Sequence, residues 1–379
     1  MALRLESIGF RDFRSYERFS LDGLGGLTVF VGPNAAGKTN IVEGIQLVTA
    51  FGTFRHATSE ELIRWGCSSA RVTAHAKSPT RDLTLCADIR TGSRAYALNG
   101  KKRAVQDLQG LVPSVVFSPD DLVLAKGPQA HRRAALDLLG CQLSRNHRII
   151  KRDFERLVKH KNALLKDDAP SLLVESVNDM LVPSAVQLYR YRSALAANLA
   201  ARMAEAYAAL SGGVQQLEVS YVPSWESEEV RRAASVCPLA LSYDKESAAA
   251  ALSAALRARA AEERARRRAV VGPHHDRLEF FIDGRNASTF ASQGQQRSLV
   301  LAWKIAEVGV MREMLGVDPV LLLDDVMSEL DASRRKALMG MLSEGMQTFI
   351  TATDASCFDN GLLERARVVD LERGPRWGR

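Results

Sequence analysis

The segment Gly32-Pro33-Asn34-Ala35-Ala36-Gly37-Lys38-Thr39 constrains this chain more than any other feature. It fits the pattern G-x-x-x-x-G-K-[ST], and its flanks have the character that pattern requires. The apolar run Leu27 to Val31 predicts a strand ending at Gly32. Ile41, Val42, Ile45, Leu47 and Val48 predict an amphipathic helix directly after the loop. Strand, glycine loop and helix in that order aim successive backbone N–H groups at one point, and the helix N-terminus adds its positive end. The loop therefore reads as a phosphate cradle for ATP, with Gly32, Pro33, Asn34, Ala35, Ala36, Gly37, Lys38, Thr39 and the following Asn40 as binding residues. Lys38 is expected to reach the β- and γ-phosphates and to act in catalysis. The Thr39 hydroxyl is expected to ligate Mg²⁺.

A second segment has the chemistry to complete such a site. Val320-Leu321-Leu322-Leu323 predicts a buried strand, and it ends in Asp324-Asp325. Asp324 is expected to hold Mg²⁺, and Asp325 stands where a general base for an attacking water would lie. Transport-type ABC ATPases usually carry Glu at that second position, so the shorter Asp325 changes the reach. Ser292-Gln293-Gly294-Gln295-Gln296-Arg297 precedes a helical run and resembles the ABC signature motif. A hydroxyl, glycine amides and a positive helix end suit contact with a γ-phosphate. Ser292 is thus a catalytic candidate, and Gln293, Gly294 and Gln295 are nucleotide-binding candidates. In ABC folds the signature lies far from its own phosphate loop and completes a site on a second copy, which implies an ATP-dependent homodimer. Ser328-Glu329-Leu330-Asp331 looks like the D-loop of that interface, with Asp331 at the contact. Thr351-Ala352-Thr353-Asp354 stands where transporters place a switch His; Thr351 or Thr353 takes that place here.

The rest of the chain frames these motifs. Residues 1–126 and 270–379 read as α/β, with Asn99-Gly100 as a hairpin turn. Residues 127–210 and 248–268 carry helical spacing, with a strand-like interruption near 217–221. The expected fold is an α/β ABC-type P-loop ATPase head, 1–126 plus 270–379, split around an inserted α-helical lid domain, 127–269. The five cysteines, Cys67, Cys86, Cys141, Cys237 and Cys357, are scattered and odd in number, which argues against a disulfide framework or a zinc site. Early charge at Arg4 and Glu6 argues against a signal peptide, and no apolar run is long enough for a membrane span; a cytoplasmic protein is expected.

Formal charge is +7, a balance that favours acidic partners. Residues 128–168 hold ten Lys/Arg against five Asp/Glu. On a helix, Arg145, Arg148, Arg152, Arg156 and Lys159 fall near one face by steps of three and four, a stripe able to follow a phosphate backbone. Arg257, Arg259, Arg264, Arg266, Arg267 and Arg268 form a second cluster. A solvated helical surface explains either cluster equally well. Neither is interleaved with aromatics, so contact with duplex backbone is favoured over base stacking on single strands.

Several segments in order resemble the RecF family, relatives of the SMC-type ATPases. They are Phe10-Arg11-Asp12-Phe13-Arg14-Ser15-Tyr16, the phosphate loop through Asn40, Phe117-Ser118-Pro119-Asp120-Asp121-Leu122, Gly272-Pro273-His274, the signature segment and Leu323 through Asp331. The resemblance implies an ATP-gated DNA-binding protein that dimerises on double-stranded DNA near gaps and stalled forks. It also implies release by slow, DNA-stimulated ATP hydrolysis and work with RecR and RecO in loading RecA. Through the patch 53–58 it implies Arg55 as an arginine on the nucleotide side. Where the family reads G-P-H-R-D-D, this chain has Gly272-Pro273-His274-His275-Asp276-Arg277, which leaves the role of that turn open. A transporter subunit, a small-molecule kinase and a degenerate scaffold are the competing readings. The missing switch His speaks against the first, the signature segment against the second, and intact Lys38, Thr39 and Asp324 against the third.

Overall fold

The computed structural model describes residues 3–55, 57–327, 330–340, 345–354, 358 and 360–372. Its strands are, in chain order, β1 (Arg4–Phe13), β2 (Tyr16–Asp22), β3 (Leu27–Val31), β4 (Ser69–Ser78), β5 (Arg81–Arg90), β6 (Ser93–Leu98), β7 (Lys101–Arg103) and β8 (Ser114–Phe117). They continue with β9 (Leu217–Val222), β10 (Arg277–Ile282), β11 (Arg285–Asn286), β12 (Val320–Asp324), β13 (Thr348–Ala352) and β14 (Arg367–Asp370). Contacts divide the chain into two compact units, 1–121 with 307–379, and 122–306.

The first unit holds two sheets. One is antiparallel, in the order β2-β1-β4-β5-β6-β7; the other has the order β14-β3-β13-β12-β8, and its neighbours run parallel. The two kinds of sheet follow from sequence pattern. β1 and β4 alternate buried and open residues, as a sheet with one wet face must. β12, Val-Leu-Leu-Leu-Asp, is buried at every position, as a central parallel strand covered on both faces must be. The Lys38–Thr49 helix packs Ile41, Val42, Ile45, Leu47 and Val48 into the core shared with Phe10, Phe13 and Phe19. Gly44 lets that helix approach closely: a Cβ there would stand 2.4 Å from the Phe10 ring. The Arg14–Glu43 pair then joins the β1–β2 hairpin tip to the helix by two bonds of 2.8 and 2.9 Å.

The second unit is mainly helical, with helices at Gln129–Leu143, Arg145–Lys166 and Ser171–Leu210, and the three-stranded sheet β11-β10-β9. The Ser171–Leu210 helix runs through Pro183 as one element of 40 residues. The helical run expected over 248–268 breaks at Arg259 into Lys245–Ala258 and Ala260–Arg266. The contact division also sets the unit's end at 306, beyond the boundary of 269 expected from composition. The reason is β10, which pairs along its whole length with β9 and so takes the segment after 276 with it.

The turn whose role sequence left open lies inside this second unit. Gly272 N donates to Ser224 Oγ at 2.7 Å, and that hydroxyl donates back to the Gly272 carbonyl at 2.8 Å. Buried Asp276 accepts from Tyr221 Oη and from Ser224 N, each at 2.7 Å. Arg192 donates to the Pro273 carbonyl and forks onto Asp137, which His147 also meets at 3.0 Å. Burial raises the Asp137 carboxyl, but the Arg192 charge and the bonds from His147 and Arg192 overcome it and hold Asp137 at about 2. The departures from the family pattern face elsewhere: His275 meets the Ala269 carbonyl, and Arg277 donates to Ser235.

Candidate nucleotide site

The phosphate loop leaves β3 at Gly32 and enters the helix at Lys38, as its sequence predicts. Gly37 has φ of 91°, a left-handed conformation, and a Cβ there would lie 2.6 Å from Tyr16 Oη. Both facts demand glycine. Lys38 is buried, and its ammonium donates to the carbonyls of Gly32 at 2.6 Å and Pro33 at 2.9 Å. Pro33, Asn34 and Ala35 are exposed at the loop's crest. Asn40 donates to Ser15 Oγ at 2.9 Å, and the Tyr16 hydroxyl donates to the Ala36 carbonyl at 3.4 Å. Burial pushes the Tyr16 phenol up to about 12, so it stays a neutral donor at physiological pH.

Three chain segments converge on Asp324. Thr39 Oγ1, 285 positions away in sequence, donates to its Oδ1 at 3.0 Å, and Thr351 Oγ1 donates to the same oxygen at 2.8 Å. Thr351 Oγ1 also accepts from the backbone N of Asp325 at 2.9 Å. The strand order explains the meeting: β13 lies between β3 and β12, so its end falls between the phosphate loop and the acidic pair. Asp324 is buried, and that burial raises its carboxyl above the ordinary value. The hydroxyls of Thr351 and Thr39 and the charge of Arg55 oppose the rise, and Asp325 adds to it. Arg55 is itself exposed, and its segment is held by a 2.6 Å bond from Phe54 N to Gln46 Oε1. Asp325 has a left-handed φ of 52°. The chain thus turns sharply at the strand end.

Of the two threonines proposed for the switch position, Thr351 is fully buried in this network, whereas Thr353 is exposed beyond the strand. A hydroxyl beside a buried carboxylate is a hard-oxygen donor set that suits Mg²⁺.

Ser292 belongs to the second unit and the Lys38–Asp324 group to the first. Ser292 begins the Gln293–Leu315 helix with a reciprocal cap. Its backbone N donates to Gln295 Oε1 at 2.8 Å, and Gln295 N donates to Ser292 Oγ at 3.3 Å. Ser292 and Gln293 are exposed and Gly294 and Gln295 half-buried, while Gln296 is buried and donates to the Ala291 carbonyl. Asp331 is exposed, caps the Ala332–Gly340 helix through Arg334 N and pairs with the Arg334 side chain. Ser328 and Glu329 of the expected D-loop lie outside the described residues, as does Cys357; Cys67, Cys86, Cys141 and Cys237 are free.

The Arg145–Lys166 helix carries all five residues of the predicted basic stripe. At about 100° per residue they span an arc of about 80°. Arg145, Arg152, Arg156 and Lys159 are exposed and Arg148 half-buried, and the helix buries His147, Phe154, Lys161 and Leu165 on the opposite side. Among the described residues no helix is long and apolar enough to cross a membrane.

Ser15 and Tyr16 against the loop, the Arg14–Glu43 fork and the two-sided role of Thr351 were not legible as site features. The 10–16 segment carries the family resemblance, but nothing local assigns its residues these contacts; the pairing of distant strands does.

Comparison with known proteins agrees with this geometry. A family model described as the RecF/RecN/SMC N terminal domain matches residues 4–373. The "DNA replication and repair protein RecF" of Heliobacterium modesticaldum is 33% identical over 381 residues, 98% of each chain. That of Gloeobacter violaceus is 34% identical over 377 residues, 98% of this chain and 97% of its own. A solved structure of the recombination mediator protein RecF with ATP superposes with a TM-score of 0.85 at 25% identity over 94% of each chain. An Smc head domain from Pyrococcus furiosus superposes with a TM-score of 0.53 at 15% identity over 97% of this chain and 93% of its own, a likeness of fold alone. The family model spans nearly the entire chain and relatives exceed 30% identity from end to end: this chain belongs to the RecF family and has its ABC-type ATPase head.

Proposed function

We propose that this chain is an ATP-dependent DNA-binding protein of recombinational repair and replication-fork maintenance, a weak ATPase stimulated by DNA. The observation that carries the reading is the convergence of Thr39 and Thr351 on Asp324, with Asp325 N tied to the same Thr351 hydroxyl, beside an intact phosphate loop. The loop amides and Lys38 bind the ATP phosphates, and Gly32 through Asn40 shape that cradle. Thr39 and Asp324 would hold Mg²⁺, which supplies charge neutralisation on the phosphate oxygens. Asp325 takes the proton of the attacking water as ADP leaves, and Arg55 adds positive charge on the nucleotide side. Ser292, Gln293, Gly294 and Gln295, at the start of a long helix, meet the γ-phosphate held by a second copy, with Asp331 at the contact.

ATP would therefore join two copies, and hydrolysis would release them. Arg145, Arg148, Arg152, Arg156 and Lys159 track the backbone of double-stranded DNA, and the gapped junction is the expected place of assembly. Relatives are named for DNA replication and repair, and a solved RecF is described as a recombination mediator of the RecFOR pathway. On that ground RecR and RecO are the partners, and RecA loading the outcome.

Sedimentation with ATP-Mg²⁺, with and without a gapped duplex and across a salt series, tests the reading. Wild type should dimerise only with ATP, and its DNA affinity should fall steeply with salt. Ser292→Arg should bind ATP yet stay monomeric and inactive. A Ser292→Arg protein that dimerises like wild type overturns the two-copy site, and a flat salt dependence overturns the DNA stripe.

A further inference from the structure

The antiparallel sheet of the first unit turns a polar face outward, and arginines outnumber the carboxylates in one part of it. Cross-strand pairing places Arg18, Arg11, Arg71 and Asp88 in one row, from β2 through β1 and β4 to β5. Arg90 stands two positions beyond Asp88 on the same face, and Lys77 lies farther along β4. Arg71 pairs with Asp88 at 2.6 Å, while Arg11, Arg18 and Arg90 have no ion pair among the described residues. Arg11, Asp12, Ser69, Arg71, Asp88 and Arg90 line a shallow cleft of about 190 Å³.

Trp65, 98% exposed, follows Arg64, whose backbone N is bonded to Asp12, one of the residues lining this cleft. Its loop is fastened to the end of β1: Ile63 bridges Phe13, Arg64 N donates to the Asp12 carbonyl at 2.8 Å, and Arg14 N donates to the Leu62 carbonyl at 2.9 Å. The backbone is thus held to the end of β1 while the indole stands in water. An indole exposed on a braced loop offers a broad flat surface on which a ring can stack. The positive charge of the cleft selects what carries that ring. Arginines that seat phosphates and a flat aromatic that stacks a base are together the two parts of a single-strand site. Neither basic cluster in the sequence is interleaved with aromatics; this combination forms only when β1, β4 and β5 assemble.

We propose that Trp65 stacks on an unpaired base at the edge of a DNA gap while Arg11, Arg71 and Arg90 hold its phosphates. This rests on the DNA-binding reading above and adds to it the element that distinguishes a gap from continuous duplex.

The test is equilibrium binding, with ATP-Mg²⁺ present, to a gapped duplex and to a fully paired duplex of the same length. Trp65→Ala should weaken binding to the gapped DNA roughly fivefold to a hundredfold, the range that stacking of one base carries, and leave the paired duplex within about twofold. Trp65→Phe should retain most of the gapped-DNA affinity. With Trp377 replaced by Phe throughout, a short single strand should quench tryptophan emission when Trp65 is present and not in Trp65→Phe, since Trp225 and Trp303 are buried. Equal loss on both DNAs, or no loss on either, overturns the stacking site while leaving the duplex reading intact. A wild type that binds neither DNA overturns both.

Discussion

Replacing Thr351 by Val removes one hydroxyl and almost no volume, and two bonds go with it. The bond to Asp324 Oδ1 at 2.8 Å joins a hydroxyl to a carboxylate, worth about 1.5–3 kcal/mol. The bond from Asp325 N at 2.9 Å is neutral and worth about 1 kcal/mol. Most of that loss falls on the orientation of the Asp324 carboxylate, which keeps only Thr39. A group that orients a metal ligand typically controls affinity by about tenfold or more. Nucleotide binding in EDTA should therefore change little, because the loop amides and Lys38 are untouched, and the gain in affinity on adding Mg²⁺ should shrink about tenfold. The pH dependence has a definite direction. Asp324 already sits above the usual carboxylate range, and the Thr351 hydroxyl is the largest influence holding it down. Its loss raises the carboxyl further, so protons compete with Mg²⁺ at higher pH and the acid limb of Mg²⁺-dependent binding moves toward neutral. Thr351→Ser should restore both. The assay is a titration of a fluorescent ATP analogue with and without Mg²⁺ at several pH values. A Thr351→Val protein with wild-type Mg²⁺ response and an unmoved acid limb would refute the reasoning.

Lys38→Ala should abolish tight ATP binding without unfolding the protein, read by nucleotide titration beside a urea melt. Arg156→Glu should lower DNA affinity about equally for all sequences and reduce the log–log salt slope by about one or more, read by binding at several salt concentrations. Burial and the neighbouring His275 charge hold His274 down to about 3, whereas the unfolded histidine takes up its proton near 6.5. The unfolded state thus binds more protons between those values, and stability should fall as pH drops from about 6.5 toward 3, by up to about 1.4 kcal/mol per pH unit. His274→Leu should flatten that fall, read from urea midpoints at pH 7, 5.5 and 4.5.

What was legible in the sequence was local. The phosphate loop, its strand and its helix form one continuous segment whose backbone does the work, and the Asp324-Asp325 strand and the Ser292 cap are likewise self-contained. The basic stripe was readable because helical spacing alone puts Arg145 through Lys159 on one face. Thr351 was one of two equal choices, because only the insertion of β13 between β3 and β12 decides which threonine lies under Asp324. Tyr16 and Arg14 carry their site contacts through a hairpin folded back on a helix more than twenty residues later. The C-terminal boundary of the second unit was displaced because pairing of β10 with β9 outweighs a change in composition at 270. Trp65 was invisible for the opposite reason: hydrophobicity predicts an indole inside, and only the structure shows it outside.

The order β14-β3-β13-β12-β8 also sets a timetable for synthesis. The strand that carries the phosphate loop is made among the first, yet both its neighbours come from the last tenth of the chain. On the ribosome, the antiparallel sheet and the whole of the 122–306 unit can pack while β3 and β8 still wait with open edges. Mg²⁺-dependent nucleotide binding cannot assist that early stage, since Asp324 and Thr351 have yet to emerge. Late closure of parallel pairs is slow and leaves edges open to other chains. A nascent or truncated chain ending before β13 should therefore depend on chaperones far more than the finished protein, and ATP should protect only the finished one from proteolysis.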